Sequence, residues 1–401
     1  MPAARSPFLR NPDEPVEVRN IELFFDLVFV FLITQLSQHL IHNLSWEGVF
    51  RTAILLGLTW YVWVYTTWLT NWFDPDRGTT RVVLLLTMLG SLVMASRLPA
   101  AFESGGVVVG WAFAAMHVGL TMYGALVLDR GTFLKLNYTR VACWCVASGT
   151  LAVIGGYSHG HVRELLWALA IAIDAVGGAC GFATPGIGRS RPEQWSIDGG
   201  HFAERCQLFV IIALGESIVV VGEVLSDLHT GLEIASFVAA LIGAALLWWV
   251  YFDRSAEAGA EMIAHSADPG RLGRSAYHAI HPVMIAGIIL VAAGDEKLLH
   301  AIHQHPHEHV AMSTVLLVAG GAALFLLGHA LFCGVVWRAV PWTRLAAIGA
   351  LVAVIAAGER LPPFWVGQLT VIVLLALCVG DRVLPSTAPG RGRRVADPGR
   401  P

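Results

Sequence analysis

Charge is scarce in this chain. Asp, Glu, Lys and Arg make up 14% of its 401 residues, against roughly 25% in a soluble globular domain. Lysine is nearly missing: Lys135 and Lys297 are the only two, both in expected loops, so no retinal-type Schiff base can form inside a helix. The six cysteines, Cys143, Cys145, Cys180, Cys206, Cys333 and Cys378, make no C-x-x-C pair. Neither a disulfide framework nor a zinc ribbon is supported, and they read as free thiols in helices. There is no Walker A loop and no G-x-S-x-G elbow, which excludes ATP-driven transport by this chain alone and nucleophile-elbow hydrolysis. The net charge of −3 gives no electrostatic reason to expect a nucleic-acid partner. The opening MPAARSPFLRNPDEP lacks the apolar run of a signal peptide, so the first helix is expected to be retained.

What is abundant is apolar sequence. Hydrophobic residues reach 56% and mean hydropathy is +0.63, the signature of a polytopic membrane protein whose main partner is the lipid bilayer. Twelve apolar segments lie near 21–42, 50–70, 81–97, 107–127, 138–157, 163–182, 203–225, 232–252, 275–295, 310–333, 343–358 and 363–381. Each approaches the ~20 residues a spanning helix needs. With a cytoplasmic N-terminus, 21 of the 26 Lys and Arg fall on the inner side. The positive-inside rule therefore favours an all-α fold of about twelve transmembrane helices, both termini cytoplasmic, in a bacterial-type plasma membrane.

The segments also echo one another. Glu22 opens the first and Glu204 the seventh; Trp72-Phe73-Asp74 ends the second and Tyr251-Phe252-Asp253 the eighth. Arg81 and Arg274 introduce the third and ninth, and His117 and His329 are central in the fourth and tenth. This order predicts two parallel six-helix repeats: a tail at 1–20, the first repeat at 21–183, a Gly- and Pro-rich linker at 184–201, the second repeat at 202–382 and a disordered basic tail at 383–401.

Charged groups in a bilayer cost roughly 2.5–3.5 kcal/mol each and must face the protein interior or water. Asp26, His117, Asp174, Glu216 and His329 lie farthest from the segment ends. In G-E-S-I-V-V-V-G-E, Gly215 and Gly222, like Glu216 and Glu223, stand seven apart and share a stripe. The glycines are expected to let a neighbouring backbone approach, and the glutamates to line a seam for an ion or proton. Glu22, Asp26 and Ser37 point within ~60° of one another on the first helix, with Thr34 at the edge. Helices 1 and 7 would then line a polar path, with Glu22 and Asp26 at its cytoplasmic mouth. The structural alternative pairs Glu22 with Arg19 and uses Asp26 to cap a neighbouring helix. His117 and His329 could relay protons, bind a metal or haem, or serve only as hydrogen-bonded structure; Asp174 could pair with one of them. His300, His303, His305, His307 and His309, flanked by Asp295, Glu296 and Glu308, form a loop tract able to collect a transition metal. No other cofactor is expected. The aromatic second segment, with Trp60, Trp63 and Trp68, reads as core packing, and Trp72 fits an interfacial belt.

ELFFDLVFVFLITQLSQHL at 22–40, TTWLTNWFDPDR at 66–77, LLLTMLGSLVMASRLPAAF at 84–102 and ERCQLFVIIALGESI at 204–218 resemble the signatures of the bacterial low temperature requirement A family. That resemblance implies a multi-pass membrane protein but no particular chemistry. The first segment is also similar, in Arg19, Phe24, Asp26, Ile33 and Thr34, to the first-helix signature (Arg, three residues, Phe-Ser-Asp) of potassium channels built from six-helix repeats. By that likeness Arg19 and Asp26 would brace a pore helix and Ile33 would face the pore. Phe25 stands where the serine would be, and Leu208 replaces the aspartate in the seventh segment.

These readings point to a channel or transporter for a small ion or proton-coupled solute, with Asp26, Glu216, Glu22, Thr34 and Glu223 on its path. Arg19, Glu204, Arg205, His117, Asp174 and His329 form the supporting network. No catalytic residue is assigned, and a homodimer is compatible with the sequence. The alternative is a membrane-embedded enzyme or cofactor protein that uses His117, His329, Asp174 and Glu216 on a lipid-soluble substrate.

Overall fold

The computed structural model describes residues 6–11, 16–191, 194–195, 197–224, 229–253, 255–306 and 308–383, with the side chains of 220, 221, 223 and 224 left aside. Among the described residues no strand forms, and two isolated bridges are the only β-type pairing. In chain order the helices are α1 (Asn20–His42), α2 (Trp46–Trp72), α3 (Gly78–Ala95), α4 (Gly106–Val127), α5 (Phe133–Tyr157), α6 (Gly160–Ala179), α7 (Gly199–Val224) and α8 (Gly231–Phe252). Short α9 (Ser255–Ala264), α10 (Pro269–Leu272) and a π-turn (Gly273–His278) lead to α11 (His281–Gln304). Then α12 (Met312–Val315) runs through a π-turn (Leu316–Gly320) into α13 (Gly321–Trp337), followed by α14 (Trp342–Gly358) and α15 (Pro363–Val383).

Each of the twelve expected segments is helical. Among the described residues, nine of the stretches are long and apolar enough to cross a membrane, and α14 is a shorter apolar helix. α6 carries Arg163, Glu164 and Asp174, and α7 carries Glu204, Arg205, Glu216 and Glu223, which lowers their apolar character.

Local signals start these helices. Ser45 caps α2 by accepting from Gly48 N at 3.1 Å, and Thr132 caps α5 through Lys135 N at 3.2 Å. Thr230 and Glu233 close a capping box on α8. Large apolar side chains lie on the outside as well as in the core, and charged ones lie inside. Leu27, Leu86 and Leu126 are 61%, 61% and 70% exposed, while Glu22, Asp26, Arg163, Arg205 and Asp174 are buried. Lipid contact rewards the first group, and only internal partners make the second tolerable.

The chain divides into two compact units. One comprises Met1–Ile212 with Ala264–Arg274, the other Ala213–Ile263 with Ser275–Pro401. In the first, α4 and α5 pack backbone to backbone: a Cβ on Gly110 would collide with the Ala152 carbonyl oxygen. In the second, α11 meets the π-turn just as closely, since a Cβ on Gly294 would lie 2.7 Å from Val318 N. Glycine is what lets both helix pairs approach. The aromatic residues of α2 pack as expected, with Trp60, Trp63 and Trp68 buried.

Candidate functional site

Among the described residues, buried polar clusters include the following three. The largest joins the start of α1 to the start of α7, all within the first unit. Asp26 Oδ2 accepts from Arg205 Nη1 at 2.8 Å, and Oδ1 accepts from Arg205 Nη2 at 2.8 Å and from Trp63 Nε1 at 2.9 Å. This is a two-pronged guanidinium–carboxylate pair. One turn earlier, Glu22 Oε2 accepts from Arg10 Nη2 at 2.9 Å and from the Arg19 backbone N–H at 3.0 Å, while Oε1 lies 2.9 Å from His201 Nε2. Asn71 stands 3.1 Å from the other imidazole nitrogen and accepts the Asp198 backbone N–H at 2.9 Å. Arg10 also donates to Thr70 O at 2.7 Å. Burial pulls the Arg10 guanidinium below its ordinary range, against the opposing pull of Glu22. Aromatic rings wall the cluster: Arg205 Cζ sits 5.7 Å from the Trp63 ring, and Trp63 and Phe209 are 4.4 Å apart.

Sequence reasoning selected Glu22, Asp26 and Arg205 but missed Arg10, His201, Asn71 and Trp63. The guanidinium that holds Asp26 is that of Arg205, not that of Arg19. The Arg19 guanidinium lies 3.8 Å from Asp76, about 40% exposed, on the residue that precedes α1. Glu22 accordingly pairs with Arg10 and His201. Glu204 is exposed and outside the cluster. Thr34 donates to Val30 O at 3.2 Å, back onto its own helix. Glu216 is buried in the part of α7 that belongs to the second unit. The side chain of Glu223 and all of His307 lie outside the described residues. The close backbone approach expected at Gly215 and Gly222 does not occur, since a Cβ on either would meet nothing within 4 Å among the described residues. Their stripe borders Ile218 and Val219, both exposed, so it opens outward there.

The second cluster lies among α4, α5 and α6. His117 Nε2 is 3.0 Å from Asp174 Oδ1, and Ser148 donates to that same oxygen at 3.2 Å. Cys145 completes a fully buried trio whose ligand-type atoms all fall within 4.8 Å of one another. In the second unit, His329 on α13 has a different neighbour: Arg344 Nε stands 3.5 Å from its Nδ1, and Arg344 Nη1 donates to Asp381 at 2.6 Å.

The third cluster centres on Asp295. Its neighbours in sequence place it at a loop edge, yet α11 runs nine residues beyond it. Leu298, Leu299 and Ile302 explain the extension, since they continue the buried stripe at helical spacing. Asp295 is 5% exposed and its Oδ2 has no hydrogen-bond partner among the described residues. It lines a cavity of about 20 Å³ with Ser236, Gln368, Thr370, Val291 and Leu298, enough for one water, which needs about 10–15 Å³. Ser236 and Thr370 donate to Leu232 O and Val366 O of their own helices, so their oxygens retain lone pairs toward a guest. His300 and His303 likewise belong to α11, not to a loop. His303 sits 2.8 Å from Glu233 and His305 3.2 Å from Glu308. Among the described residues no three of the tract's ligand atoms come within coordinating reach.

Helices with apolar outer faces and charged interiors define a multi-pass α-helical membrane protein. The family model for the bacterial low temperature requirement A protein (LtrA) matches residues 17–379, and the chain belongs to that family. It is 31% identical over 364 residues to an uncharacterized protein, RA0937, of Rhizobium meliloti (strain 1021), covering 90% of this chain and 88% of the relative.

Proposed function

We propose that this protein moves a small ion or a proton-coupled solute across a bacterial-type plasma membrane. In this reading it is built as two parallel six-helix repeats with both termini in the cytoplasm. Asp295 carries the reading: it is a carboxylate inside an apolar helix bundle, beside a water-sized cavity, with one oxygen uncommitted. A group so placed is costly to keep for packing alone, and intramembrane carboxylates are the usual sites of proton or cation exchange. Glu216 is the second carboxylate of the path.

The cluster of Glu22, Asp26, Arg10, His201 and Arg205 plays another part. Every carboxylate oxygen in it already has a protein partner, so it braces the cytoplasmic end of α1 against α7 and does not itself pass the ion. Fluxes of protons, potassium and sodium in liposomes, compared for wild type, Asp295→Asn and Glu216→Gln, test the proposal. Wild type should exceed empty vesicles for at least one ion, and Asp295→Asn should abolish that excess. Wild-type flux equal to that of empty vesicles, or an Asp295→Asn variant that transports normally, would overturn it.

A further inference from the structure

The cluster of His117, Cys145 and Asp174 has the makings of a second site, independent of the transport reading. We infer that these three residues bind a transition-metal dication of the zinc type. They come from α4, α5 and α6, and each is buried. One imidazole nitrogen, one thiol and one carboxylate oxygen converge within 4.8 Å. Two atoms at the cluster, His117 Nδ1 and Asp174 Oδ2, have no hydrogen-bond partner among the described residues.

The metric is close to what a metal needs. A tetrahedral ion with bonds of about 2.0–2.1 Å holds its nitrogen and oxygen ligands about 3.3 Å apart. The His117 Nε2 to Asp174 Oδ1 distance is 3.0 Å, so a few tenths of an ångström of opening admits the ion. Charge also balances. A dication with one thiolate, one carboxylate and a neutral imidazole has no net charge, which a dry helix interior favours. Binding releases the thiol proton, and the proton between His117 and Asp174 leaves or moves to the other imidazole nitrogen so that the ring stays neutral.

The mixed nitrogen, sulfur and oxygen donors suit zinc or cobalt better than magnesium or calcium. Around the ligands, Ser148 orients the carboxylate through its 3.2 Å bond. Phe113 stacks on the His117 ring at 4.8 Å and Tyr65 lies at 4.4 Å. Such outer contacts fix ligand direction. His329 supplies the contrast: the Arg344 guanidinium 3.5 Å away repels a cation.

Cobalt(II) is the probe, because a cobalt–thiolate bond adds a charge-transfer band in the near ultraviolet. The full-length protein in detergent should take up one tightly held cobalt per chain and show that band. Cys145→Ser should remove the band, while Cys143→Ser and His329→Gln should keep it. Asp174→Asn should weaken binding at least about tenfold, since even outer partners of metal ligands matter by 10–100-fold. Absence of the band in wild type, or its survival in Cys145→Ser, would overturn the inference. Should Cys145→Ser not fold, thermal unfolding decides: zinc should raise the wild-type midpoint clearly more than that of the isosteric Asp174→Asn, and equal shifts in both would refute the site.

Discussion

Asp26 and Asp295 are both aspartates buried in apolar helices, one in each unit, and their surroundings are opposite. Asp26 accepts three hydrogen bonds, two of them from a single guanidinium. Asp295 keeps an oxygen without a donor among the described residues and faces a cavity. The first arrangement offsets the cost of burying charge by saturating it. With both oxygens held by protein donors, it is poor at exchanging a proton or an ion. The second leaves the cost standing, which is tolerable only where a guest can occupy the remaining position. Counting intramembrane carboxylates therefore does not locate chemistry; the number of donors each one already has separates brace from exchange site.

The largest effect that would sharpen this contrast is expected at Arg205. Arg205→Met leaves Asp26 buried without its counter-ion, and losing one member of such a pair costs about 3–5 kcal/mol. The thermal unfolding midpoint in detergent should fall steeply, and Asp26→Leu in the same chain should recover much of the loss. A single variant as stable as wild type would mean that Asp26 is not braced as described. Arg163 tests the same principle without a carboxylate. It is buried and donates to five carbonyls, those of Ala101, Glu103, Gly155, Gly156 and Ser158, at 2.7–3.2 Å. It thereby caps the end of α5 and ties it to the turn before α4. Arg163→Met should cost on the order of 2–3 kcal/mol, the worth of charge-assisted bonds plus the carbonyls left bare. Zero loss by the same unfolding assay would argue that water replaces the guanidinium.

Much of the fold could be read before the coordinates, because a spanning helix advertises itself as an uninterrupted apolar run, and all twelve such runs are helices. Ends were less legible. The charged triplet Asp295-Glu296-Lys297 resembles a loop, and only the quieter spacing of Leu298, Leu299 and Ile302 betrays that α11 continues. Glu22 and Asp26 stood out in the first segment, but their partners did not, since Arg205 is 179 positions from Asp26 and His201 179 from Glu22. Local spacing instead suggested Arg19, which is adjacent in sequence but faces Asp76. The glycines of α7 mislead for a related reason: a small-residue stripe shows that a neighbour can approach, not that one does.

Two smaller effects complete the comparison. Asp295→Asn preserves shape and removes only the ionisable group, so stability should change by less than about 1 kcal/mol in either direction, while any ion flux collapses. A loss of stability as large as that of Arg205→Met would make Asp295 a second brace and remove the contrast. Thr34→Val should do least. The Thr34 hydroxyl donates to the carbonyl of Val30, one turn back on the same helix. That carbonyl already serves the intrahelical ladder, so the hydroxyl bond adds little. Valine keeps the β-branched shape and χ1 preference, and the expected stability change is under about 0.5 kcal/mol. Flux should be unaltered, because a hydroxyl turned onto its own backbone presents no free donor to a passing ion. A fall in flux as deep as that of Asp295→Asn would mean that the Thr34 side chain rotates away from Val30 in the working protein, and would return α1 to the conducting path.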